Sequence, residues 1–160
     1  MKYILRLFPW KRGLYLSIGV LASLIVFSFY GLYTNKFYFF KFDNYIFPFL
    51  TSVHFIFLYV LSFKIKEDET TDPQMRNLEY VLYVIFLIYI FKFVDTILVL
   101  TSYSEYEDHI MPETFIPLGI FILVLYVFLL GLTLLSFMYR RVLVGKYKFN
   151  DMNQHIDSWE

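Results

Sequence analysis

The sequence predicts an all-α integral membrane protein, a bundle of four transmembrane helices with short loops. Three observations predict it. The chain is 59% hydrophobic with mean hydropathy +0.57, whereas a soluble globular domain is about 45–50% apolar. The excess is concentrated in four runs, about 13–33, 45–63, 78–101 and 113–139. Each is long enough to cross a bilayer, since roughly 20 residues at ~1.5 Å rise span the ~30 Å hydrocarbon core. The charged residues sum to a net charge of zero and sit almost entirely between the runs and at the two ends. One domain, 1–160, is therefore expected, with a polar cytoplasmic tail over 142–160.

The composition also excludes chemistry. With no cysteine, disulfides, thiolate metal centres, iron–sulfur clusters and c-type haem attachment are ruled out. A net charge of zero gives no global field to gather nucleic acid.

The first twelve residues carry Lys2, Arg6, Lys11 and Arg12 ahead of an apolar run. Such a start could introduce a secretory leader, but the run is too long and ends on Ser28-Phe29-Tyr30 rather than on a small-residue cleavage site. It is read as an uncleaved first span, 13–33, with residues 1–8 in the interface and Trp10 at headgroup level. Gly19 and Ser23, four residues apart in this span, are the small-residue spacing that lets helix backbones approach closely. Packing inside the bundle is expected there. The loop Thr34–Asn44 alternates aromatic residues with Lys36 and Lys41, the composition of an interfacial aromatic belt.

The second span, 45–63, begins with Pro48 in its first turn, where a missing donor is harmless. Thr51, Ser52 and His54 follow. The loop Lys64–Asn77 is the most polar stretch, and its Asp72-Pro73 pair is expected to break any helix there. The third span, 78–101, contains no Gly or Ala. The third loop holds Glu105, Glu107, Asp108 and His109, with Glu113 just beyond, and no Lys or Arg. Its spacing matches no metal-binding loop, so it is read as solvated. Arg140 and Arg141 stop the fourth span, and His155 in the tail reads as surface.

An even number of spans puts both termini on one side. Of the Lys and Arg residues outside the spans, eleven fall on that side and two on the other. The bias places both termini in the cytoplasm, and the expected location is a bacterial inner (cytoplasmic) membrane.

The stretch Phe86–Leu100 interrupts this pattern, because Lys92 and Asp95 lie within it. A charge at the bilayer centre costs about 2.5–3.5 kcal/mol on insertion scales. The two residues are i and i+3 on a helix and can pair. With the second span antiparallel to the third, His54, Thr51 and Ser52 fall at similar depth. An intramembrane polar cluster of Lys92, Asp95, His54, Thr51 and Ser52 is therefore expected, its ion pair turned toward protein.

No glycine-rich phosphate loop, HExxH pattern or nucleophile–base–orienter triad is present. His54 is the only histidine within a span, which excludes bis-histidine haem inside one chain, and no cofactor is expected. The function these residues suggest is that of a small non-catalytic accessory or assembly subunit of a larger membrane complex. The alternative is an oligomeric channel, transporter or membrane-perturbing effector whose polar path is lined by His54, Lys92 and Asp95. The expected partners are the lipid bilayer, other membrane subunits or further copies of the chain.

Overall fold

In hydrocarbon a backbone N–H or C=O has no water to bond, so spanning segments satisfy these groups internally as helices. The computed structural model describes residues 8–103 and 111–147. Four helices carry the fold: α1 (Trp10–Ser28), α2 (Ile46–Lys66), α3 (Pro73–Thr101) and α4 (Phe115–Tyr139). All four are long and apolar enough to cross a membrane. The chain is thus an integral membrane protein built as a four-helix bundle. Each helix packs on its neighbours in sequence, and α4 closes the ring against α1. Successive helices alternate in direction. The start of α1, end of α2, start of α3 and end of α4 share one end of the bundle, here the terminal end. The opposite end carries a hairpin.

Three boundaries differ from the sequence reading. α1 stops at Ser28 rather than continuing to 33, and Tyr30–Gly31 pairs antiparallel with Lys36–Phe37. Asn35 supplies the left-handed residue of the turn (φ 53°), a conformation asparagine tolerates better than most residues. The aromatic loop is therefore an ordered hairpin. Phe37 stacks on Phe39, and Phe29 meets Tyr45 edge-on.

The second difference is at Asp72-Pro73. The pair starts α3 instead of interrupting a helix. Asp72 is the N-cap, its carboxylate accepting from the Met75 N–H at 2.7 Å, and Pro73 occupies the first helical position. There its fixed φ is favourable and its absent donor costs nothing. The third concerns the tail. A π-helical turn, Arg140–Val144, extends α4, with the Gly145 N–H donating to Arg140 O at 3.1 Å. Of the polar tail expected over 142–160, the described residues end at 147, and those after the turn pack against the terminal end. Val144 is buried, and Lys146 O accepts from the Thr71 hydroxyl at 3.2 Å.

Lipid tails are as apolar as leucine, so close packing holds such helices together more than burial from water. The core is formed by Leu21, Leu24, Phe57, Leu82, Tyr89 and Leu129, among others. The close approach predicted at Gly19 and Ser23 is not made there. Gly19 faces outward, and a Cβ on it would meet nothing within 4 Å. Ser23 donates to Gly19 O within its own helix at 2.9 Å. The contact lies one face round, at Gly13, where a Cβ would come within 2.9 Å of the Tyr139 ring. Tyr139 is held in place by its hydroxyl, which donates to Phe8 O at 2.8 Å. α3 is the most outward-facing helix. In its most apolar stretch only 11% of residues are buried, against 39% in α2 and in α4.

Candidate functional site

The five residues expected to form one polar cluster are divided by the structure. Thr51 and Ser52 both satisfy their hydroxyls locally, donating to Pro48 O at 2.8 and 3.0 Å. Thr51 is buried and Ser52 exposed. His54 is fully buried between α2 and α3, its Nδ1 3.4 Å from the Tyr89 hydroxyl and the two rings stacked. Its Nε2 has no hydrogen-bond partner among the described residues. Lys92 and Asp95 do meet each other, Nζ to Oδ2 at 3.8 Å, but their side chains remain 46% and 50% exposed. The pair expected to face protein is therefore a half-exposed pair at the edge of α3.

The reason is a cavity of about 320 Å³ at the hairpin end. Lys92, Asp95 and Thr96 of α3 line it with Tyr126 of α4, Ser28 of α1, and Asp43 and Asn44 from the turn before α2. The outward stripe of α3 (Val84, Leu87, Phe91, Leu98) runs alongside, its members 60–67% exposed. Asp95 lies at the boundary between that stripe and the cavity, because on a helix it shares a face with Phe91 and Leu98. The side chains thus face a recess of mixed lining, in which Ser28, Asp43, Asn44 and Thr96 are further polar groups, and do not enter the core.

A buried ion pair does exist, between Glu79 and Arg140, the latter read from the sequence only as a stop to the fourth span. Glu79, in the second turn of α3, is fully buried, and Arg140, just past α4, is nearly so. Glu79 Oε1 accepts from Arg140 Nη2 and from the Tyr83 hydroxyl, each at 2.6 Å. Glu79 Oε2 accepts from the Tyr147 hydroxyl. Arg140 also donates through Nη1 to Gly145 O at 3.2 Å, and its guanidinium lies 4.5 Å over the Tyr147 ring. Burial first, and then the bond to Glu79, push the Tyr147 hydroxyl well above the usual phenol range. It therefore stays a donor to the carboxylate. Beside this network Lys64, at the end of α2, bridges Glu69 at 2.8 Å and Asp72 at 2.7 Å. Burial raises the Asp72 carboxyl, but the bonds from Lys64 and the Met75 N–H outweigh it and hold it below the usual carboxylate range.

The terminal end is thus locked by charge. α2, α3, α4 and the segment after α4 are tied through Glu79, Arg140, Lys64 and Asp72. The signal available in sequence was a lone Glu at the start of an apolar run and an Arg at the matching end of an antiparallel run. Of the third-loop residues considered as metal ligands, Glu105, Glu107, Asp108 and His109 lie outside the described residues, as does His155. Among the described residues no group of three or more His, Asp or Glu side chains is placed to hold a metal ion. Comparison with known proteins finds no family model, curated protein or solved structure that matches this chain.

Proposed function

We propose that this chain is a small non-catalytic accessory subunit of a larger membrane assembly, and that the outward face of α3 around Lys92 and Asp95 meets its partner. One observation carries the reading. A charged pair is left about half exposed, at 46% and 50%, on a helix whose neighbouring outward residues are Leu87, Phe91 and Leu98. Lys92 lies nine residues before the last residue of α3, or about 14 Å at ~1.5 Å per residue. That is deep enough for lipid contact to be unfavourable. A partner helix offering a counter-charge or hydroxyl covers the pair and gains a charge-assisted bond. The surrounding apolar stripe supplies the packing surface.

In this reading both termini are cytoplasmic, following the bias of Lys and Arg, and the membrane is a bacterial inner membrane. Replacing Lys92→Met together with Asp95→Leu removes both charges. The intact protein, extracted in mild detergent from its own membrane, then travels with other membrane proteins. The double variant folds but travels alone. A double variant that keeps its companions refutes the reading.

The alternative, an oligomeric channel, transporter or membrane-perturbing effector, is favoured by the cavity that Lys92 and Asp95 line. It predicts ion flux from liposomes holding the pure protein, lost in Asp95→Asn. His54 does not line that cavity, which weakens the version of the path that included it.

A further inference from the structure

At the terminal end a second, larger cavity of about 650 Å³ opens between α3, α4 and the segment after the π-helical turn. Arg140, Arg141 and Lys146 contribute to its wall together with Tyr80, Tyr147 and Phe137. The charge of Arg140 is offset by Glu79. Arg141 and Lys146 are both exposed, and neither is in an ion pair among the described residues. The recess therefore carries two uncompensated positive charges.

From this geometry we propose that the recess binds the phosphate of an anionic phospholipid headgroup. Arg141 and Lys146, both exposed on its wall, supply the attraction. The recess sits at the ends of two spanning helices, at headgroup height. Its wall combines fixed cations with Tyr80 and Tyr147, side chains suited to that layer. Phe137 continues the wall toward the hydrocarbon, where acyl chains lie. Basic recesses between helix ends on the cytoplasmic side are suited to such headgroups. The terminal end is the side that the positive-residue bias assigns to the cytoplasm.

The test uses the full chain in mild detergent, with native mass spectrometry to count retained lipids. Phosphatidylglycerol and phosphatidylcholine of equal chain length are the probes. Wild-type protein retains phosphatidylglycerol in preference. The double variant Arg141→Gln, Lys146→Gln loses that preference, with affinity falling about fivefold per charge and hence about thirtyfold in all. Because both side chains are exposed, the variant keeps its fold, which circular dichroism verifies. Lys36→Gln with Lys41→Gln, at the hairpin end, leaves retention unchanged. Equal retention of the two lipids, or an unaffected Arg141/Lys146 variant, overturns the proposal. Displacement of phosphatidylglycerol by millimolar inorganic phosphate assigns the recess to a free anion and overturns the lipid assignment.

Discussion

Replacing Glu79 by Gln leaves the volume of the side chain almost unchanged and removes one charge from the most enclosed ion pair in the described structure. Glu79 is 0% exposed and the Arg140 side chain 9%, so water does little to screen the guanidinium that remains. Stranding one member of a buried pair costs about 3–5 kcal/mol. Three donors converge on the carboxylate: Arg140, Tyr83 and Tyr147. A neutral amide accepts from them more weakly and turns a donor of its own toward one of them. We therefore expect Glu79→Gln to destabilise the bundle by about 3–5 kcal/mol. The assay is denaturant-driven unfolding in detergent micelles, followed by loss of helical circular dichroism. The double variant Glu79→Leu, Arg140→Met buries no charge, and it should cost less than either single change, because an apolar replacement of a buried pair is often close to neutral. A Glu79→Gln cost below about 1 kcal/mol, the range of surface pairs, would refute the reasoning. A double-variant cost equal to the sum of the singles would do the same.

Further predictions concern packing and pH. Gly13→Leu drives a side chain against Tyr139, which is anchored to Phe8 O, and should destabilise by about 1–3 kcal/mol. Gly19→Leu meets open space and should change stability by less than about 0.5 kcal/mol; a reversed order in the same unfolding assay places the α1 contact face wrongly. The Asp72 carboxyl is held below its usual range by Lys64 and the Met75 N–H despite partial burial. Its contribution is thus complete above the unfolded value of about 3.9 and is lost as pH falls through the lower folded value. A pH series of thermal unfolding should show Asp72→Asn narrowing the gap between neutral and acidic stability only below about pH 4. A difference between wild type and variant that vanishes already near pH 6 contradicts the pairing.

The four spans were legible in the sequence because each helix is an apolar run of bilayer length, and hydropathy registers that without any knowledge of packing. The i, i+3 pairing of Lys92 with Asp95 was also legible, being local. Which way that pair faces was not. A charge on a spanning helix must turn inward only where everything outside the bundle is lipid, and a recess between helix ends gives it a second place to go. The rotation of α1 was hidden for a related reason. A helix apolar nearly all round has no polar face to mark its outside, so nothing in the sequence marked Gly13, rather than Gly19, as the position that meets Tyr139. Glu79 and Arg140 lie 61 residues apart, and each reads alone as a charge flanking a loop. Only the antiparallel register of α3 and α4 joins them. Asp72-Pro73 could have been read correctly, since an Asp cap followed by Pro at the first position starts a helix as readily as a Pro ends one.

The claim that α3 presents Lys92 and Asp95 to another protein is tested most directly by placing a photoactivatable benzophenone at Phe91 or Leu98 in the native membrane. Both positions are more than 60% exposed and flank Asp95. The account predicts that illumination joins the chain covalently to a second membrane protein, and that the product disappears when Lys92→Met and Asp95→Leu are added. Cross-linking to lipid alone from both positions would contradict it.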